Sequence, residues 1–109
     1  VTQVYKVRYD PVALDALEET TRYIQEESGP DRAAHWLRAM RTSIQQLEAL
    51  PHAFSAVCTR QGRPIHSKLI LSHRIFYLID QPTQTVYIID VVHTARETRL
   101  AEYRKPTTE

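Results

Sequence analysis

Only two glycines, Gly29 and Gly62, occur in the 109 residues. They stand apart, so no glycine-rich loop is available to cradle the phosphates of a nucleotide. Cys58 is the one cysteine; an intrachain disulfide is impossible and no thiolate metal site is spelled out, which suits a reducing compartment. Nothing beside it in the sequence would lower its pKa, so it reads as a small space-filler rather than a nucleophile. Repeats, HExxH, GxSxG and paired cysteines are also missing. No apolar run approaches the ~20 residues that span a bilayer, and no basic-then-apolar leader opens the chain, so a soluble, cytoplasmic protein without a membrane partner is expected. Charge of one sign is lacking as well. Fourteen Lys and Arg against thirteen Asp and Glu leave +1, too little for a protein that works by non-specific adhesion to nucleic acid or anionic lipid.

What is present suits one compact domain over residues 1–109: at 42% hydrophobic, two domains would each be too small to bury a stable core. The charge is unevenly spread. Residues 1–58 carry six basic and eight acidic side chains, whereas residues 59–109 carry eight basic and five acidic. His66, His73 and His93 add to the second half, which is where affinity for phosphate is expected.

"QVYKVRYD" alternates, with Tyr5, Val7 and Tyr9 against Lys6 and Arg8, the period of a half-buried strand. Asp10 and Pro11 then supply an N-cap and a first helical residue whose missing N–H costs nothing. Ala13, Leu17, Thr20 and Ile24 recur on one helical face until Gly29 and Pro30 stop it. Pro30 starts a second helix with Ala33, Leu37, Met40, Ile44 and Leu47 as its apolar stripe, ended by Pro51. So short a connection implies an antiparallel helical hairpin with Trp36 near its seam and Met40 as core filler.

"HAFSAVCTRQGRP" has no period and reads as a surface loop. Three strands are expected after it, over 65–71, 74–80 and 85–93, joined closely enough for an antiparallel meander. The last is apolar on both faces, as a central strand covered by the hairpin would be. Thr94 and Glu97 then form a capping box that predicts a short helix from about Ala95 to Tyr103. His93 and Arg96 are not explained by capping.

This α+β order and four stretches in it, "YKVRYDPVALDALEETTRYI", "SIQQLEALP", "HRIFYLID" and "VYIIDVVHTAR", resemble the ParE/RelE family of bacterial toxins from type II toxin–antitoxin pairs, also called plasmid-stabilisation proteins. The resemblance spans nearly the whole chain. It departs at His66, where many members carry an arginine in the strand before "HRIFY", and in the +1 balance, which is low for members that cut messenger RNA on the ribosome.

The resemblance implies growth inhibition by one of two routes, and no cofactor or metal. A ParE-like toxin poisons DNA gyrase through protein contacts. A RelE-like toxin is a ribosome-dependent endoribonuclease and needs a base for the 2′-hydroxyl, cations for the phosphate and a proton donor for the leaving oxygen. Arg74 and Arg96 are then the phosphate-holding candidates, Lys68 their assistant, and His93 or Tyr103 the proton carriers. Structural roles compete: His93 ending a strand, Arg74 pairing with Asp90, Tyr103 packing over the sheet. A member that binds its antitoxin but has lost toxicity is the third alternative. The resemblance also implies a cognate antitoxin wrapped across the groove beside the hairpin and the sheet in a hetero-oligomer. Arg74, Arg96, Lys68, His66 and Trp36 are the contact candidates, and acidic antitoxin residues are expected at the cations. The expectations lean to gyrase.

Overall fold

A computed structural model of the chain describes residues 4–95. Strand β1 (Lys6–Tyr9) leads into helix α1 (Pro11–Ser28) and helix α2 (Pro30–Gln45), followed by two short 3-10 turns, Gln46–Glu48 and Pro51–Ala53. Four strands then run as β2 (Ala56–Arg60), β3 (Arg63–Ile70), β4 (His73–Asp80) and β5 (Thr85–His93). They form one sheet in the order β1-β5-β4-β3-β2. Each of β2 to β5 is antiparallel to its neighbour, whereas β1 lies parallel to β5, with Lys6 opposite Thr85.

The α+β class and the helical hairpin are as the pattern predicts, and the meander has four strands rather than three. The stretch expected to be a loop contains β2, which turns into β3 through Gln61 and Gly62 at φ 52° and 76°. Two consecutive left-handed residues match the right-handed twist of a two-residue hairpin. The strand escapes detection because it is an edge strand with only Cys58 half-buried, so no apolar alternation marks it. Pro64 is tolerated near the start of β3, as proline is at strand ends. The last strand is interior, between β1 and β4, although β4 holds the middle of the five. The second helix also stops at Gln45, and the chain tightens into 3-10 geometry before Pro51.

Asp10 stands at the N-cap of α1 without a side-chain cap bond; its carbonyl accepts from Leu14 N at 3.0 Å. One residue, Gly29, joins the helices at φ 93°, a conformation that glycine adopts without strain. The hairpin lies on one face of the sheet. Ala13 and Leu17 of α1 and Trp36, Met40 and Ile44 of α2 pack with Leu47 onto Ile70, Ile75, Tyr77, Val86, Ile88 and Val91. A smaller cluster of Ile65, Phe76, Ile89 and Val92 occupies the opposite face.

A bulge in β5 sets which side chain faces which way. Tyr77 stands opposite Ile88 but Phe76 stands opposite Asp90, so Ile89 is the extra residue. Strict alternation from Ile88 would turn Asp90 toward the hairpin and His93 away from it. The bulge reverses the phase: Val91 joins the main core, and Ile89 and Val92 join the smaller one.

Tyr77 is fully buried and its hydroxyl donates to Pro51 O at 2.8 Å, holding the second 3-10 turn to the sheet. Burial pushes its pKa from 10.0 up to about 12. Because the folded value is the higher one, this contribution to stability is intact below pH 10 and is lost as pH rises from about 10 to about 12. Tyr77→Phe should therefore be less stable at pH 7 by about 1 kcal/mol, from the unmatched carbonyl. Its denaturation midpoint should also fall less than that of the unsubstituted chain on going to strong alkali, as equilibrium urea unfolding across that range will show.

Candidate functional site: a groove between the hairpin and the strand ends

The cationic candidates are placed by β3 and β4. Lys68 points from β3 toward the hairpin and is buried. Its ammonium donates to Ser43 O at 2.8 Å and to Gln46 Oε1 at 3.0 Å, and lies 5.0 Å from the centre of the Phe54 ring. A cation at the carbonyl end of α2 meets the negative pole of that helix. Desolvation holds the Lys68 pKa below the ordinary lysine value. Lys68 is thus a clasp between sheet and helix.

His66, two residues earlier on the same face, stacks on Tyr77 at 5.3 Å between ring centres. Its Nδ1 donates to Phe54 O at 2.7 Å. Nearby, Tyr5 Oη donates to Gln81 Oε1 at 2.7 Å, and Gln81 Nε2 donates to His52 Nε2 at 2.7 Å. His66 belongs to a set of bonds that pins the turn before β2 to the sheet.

Arg74 points to the other face. It stands opposite Val92, is half-buried, and its Nη1 donates to Ser67 Oγ at 3.1 Å. His93 points toward the hairpin. It pairs with His73 across the strands, with ring centres 4.9 Å apart and planes at 83°. Ala95 N donates to His93 Nδ1 at 3.0 Å, which leaves the proton of the neutral ring on Nε2. Arg96, Glu97, Tyr103 and the helix expected to hold them lie outside the described residues.

So among the described candidates, Arg74 is on one face of the sheet and Lys68 and His93 are on the other. Lys68 is engaged with the end of α2, whereas His93 sits at the far end of β5. Of the three, His93 alone lines either of the two grooves described below.

What His93 does share is a groove of about 660 Å³ with Ala16, Thr20 and Tyr23 of α1, Trp36 of α2 and Leu71 of the turn after β3. Small side chains at Ala16 and Thr20 open the gap between α1 and the strand ends. Trp36 is at the seam, as expected, with its ring 5.1 Å from that of His73. Its Nε1 is buried and has no hydrogen-bond partner among the described residues. Tyr23 is 63% exposed and Leu71 59% exposed. Neither stands out in the sequence, Tyr23 being a tyrosine on the polar side of α1 and Leu71 a leucine in a two-residue turn.

A second cleft, of about 740 Å³, opens on the other flank of the hairpin beside Tyr9, Leu14, Leu37 and Arg41. Burial raises the Tyr9 pKa there, with Arg41 pulling it down and Glu48 pushing it up. Cys58 is half-buried in β2, and burial raises its thiol pKa against the pull of Arg60, which suits a space-filler. Among the described residues, no three His, Cys, Asp or Glu side chains group as metal ligands do, and no helix is long and apolar enough to cross a membrane.

Residues 7–98 match the profile of the family described as the ParE toxin of the type II toxin–antitoxin system, parDE. The chain belongs to that family. Its fold is similar to that of a chain from the chromosomal ParDE system of P. aeruginosa, at 8% identity and TM-score 0.70, covering 84% of this chain and 97% of that one. It is also similar to a chain of the toxin–antitoxin complex RelBE2 from Mycobacterium tuberculosis, at 22% identity and TM-score 0.58, with 83% and 98% covered. A free RelE mutant from E. coli matches at 15% identity and TM-score 0.59, over 93% and 94%. No curated protein matches the sequence significantly.

Lys68→Met keeps the volume and removes the donor. It is expected to lower unfolding free energy by about 1–3 kcal/mol, because Ser43 O and Gln46 Oε1 lose their partner. Urea melts should show a lower midpoint at unchanged slope.

Proposed function

We propose that this member of the ParE toxin family arrests growth by acting on DNA gyrase through protein contacts, and that a cognate antitoxin neutralises it. The observation that carries the gyrase reading over RNA cleavage is the separation of Arg74 and His93 onto opposite faces of the sheet. Cleavage of a phosphodiester needs its cation and its proton carrier within reach of one phosphate. An inhibitor that works by binding has no such requirement and can use dispersed contacts. The net charge of +1 favours the same reading, since strong affinity for RNA comes from many phosphate contacts. The antitoxin half rests on family membership and on the ParDE and RelBE2 assemblies to which the fold is similar.

Purified protein, added without antitoxin, should stop supercoiling by purified gyrase and leave messenger RNA intact on translating ribosomes. Codon-positioned cuts with normal supercoiling would establish the RelE-like alternative, and unaffected growth on induction would point to a member without toxicity. Arg74→Ala and His93→Ala are each expected to weaken gyrase inhibition in a graded way, about tenfold or less, because neither carries a chemical step. Abolition by either one, in a supercoiling titration, would argue for chemistry instead.

A further inference from the structure

We propose that the outer face of the helical hairpin, around the cleft between α1 and α2, is the contact of a two-fold dimer of this chain, in which α1 of each copy lies against α2 of the other. The contact is independent of the gyrase reading and of antitoxin binding, and each can fail alone.

Charge is sorted between the two helices. α1 carries five carboxylates against one arginine, and α2 carries three arginines against one aspartate. Glu18 and Glu26 of α1 and Arg32, Arg38 and Arg41 of α2 are all exposed. Opposite charges on adjacent antiparallel helices would be expected to pair across the seam, yet none of these five does so: among the described residues the one ion pair is Arg63 with Asp80, at 3.5 Å. The cleft of about 740 Å³ holds the two rows apart. It is lined by Leu14, Leu17 and Leu37 together with Glu18, Glu26 and Arg41, and Leu14 is 45% exposed. An apolar strip therefore runs between an acidic wall and a basic one.

Two copies can meet face to face through this surface by either of two rotations. An axis across the helices sets α1 on α1 and α2 on α2, like charge on like. An axis along the cleft sets α1 on α2 of the other copy, opposite charge on opposite, and keeps every residue at its own level. The levels agree. Gly29 alone joins the helices, so residues equally far from it in sequence stand side by side: Glu18 is level with Met40, between Arg38 and Arg41, and Glu26 is level with Arg32. Each carboxylate thus meets a guanidinium of the other copy, and the symmetry repeats the match around Leu14 and Leu37.

An 18-residue helix is about 27 Å long and a pair of helices is roughly 20 Å wide, so the two faces together bury on the order of 1,000 Å², the lower limit for a specific contact. The dimer is accordingly weak, forms at high protein concentration and loosens with salt. It leaves the groove beside Trp36 open, because Ala16, Thr20 and Tyr23 line that groove from the other side of α1.

Sedimentation equilibrium of the full chain at roughly 0.01 to 1 mM, the range a contact of this size demands, is expected to show a monomer–dimer equilibrium. Its dissociation constant should rise about tenfold or more between low and high salt. Glu18→Arg and Arg41→Glu should each move the equilibrium a similar distance toward monomer, whereas their equimolar mixture should associate, because each supplies the charge the other has lost. The chain carrying both substitutions should associate again for the same reason. Glu26→Arg and Arg32→Glu repeat the comparison at the other end of the helices, so that one misfolded variant does not decide it, and urea midpoints separate lost contact from lost fold. A chain that stays monomeric throughout, or a dimer that none of the four substitutions weakens, would overturn the contact. Variants that dissociate singly and do not recover on mixing would overturn the pairing of α1 with α2.

Discussion

The fold depends on β5 being paired on both sides and apolar on both faces. Its antiparallel partner β4 is a short turn away, but its parallel partner β1 is separated from it by the entire hairpin and meander. A parallel neighbour cannot be reached by a tight turn, and the long crossover it needs is here the helical hairpin together with three strands. The hairpin consequently has one place to lie, over the face formed by Val86, Ile88 and Val91. Seating it there closes the core and at the same time creates the groove, because α1 ends up alongside the ends of β4 and β5.

Much of the polar chemistry that looks functional in one dimension is spent inside. Lys68 spans from sheet to helix end, His66 and Tyr77 hold the chain between α2 and β2, and Tyr5, Gln81 and His52 continue that series of bonds. Each satisfies a backbone or side-chain group where an irregular segment crosses the sheet, and an irregular segment has no ladder of its own to satisfy them. Lys68 and His66 therefore hold the end of α2 and the segment before β2 to the sheet, outside the groove lining. The exposed side chains at the groove, Tyr23 and Leu71, are of the kind usually passed over as surface.

Legibility followed the density of hydrophobic pattern. α1, α2 and β1 were readable because Leu17, Met40, Ile44 and Val7 recur with the period of their element, and β5 because its run is apolar on both faces. β2 was not, because an edge strand is wet on most sides and Val57, Thr59 and Arg60 carry no alternation. Trp36 at the seam was foreseen; the company it keeps with Leu71 and His93 was not, since these are joined through a turn and a strand end far apart in the chain.

Residue order and period settled α1, α2, the strands other than β2, the helical hairpin and the identity of the main core, since local steric preference and apolar periodicity act over a few residues. The phase of β5 was settled elsewhere. Ile88 to His93 offers no local reason to insert an extra residue at Ile89; the bulge arises in pairing with Phe76 and Tyr77 of β4, where a buried Tyr77 and a buried Phe76 each require their own face. That one-residue shift turns His93 toward Trp36 and away from Arg74, and so decides which groups can meet. Side-chain direction in a strand changes sign with every residue, whereas pattern recognition averages over several, and only the paired partner resolves the difference.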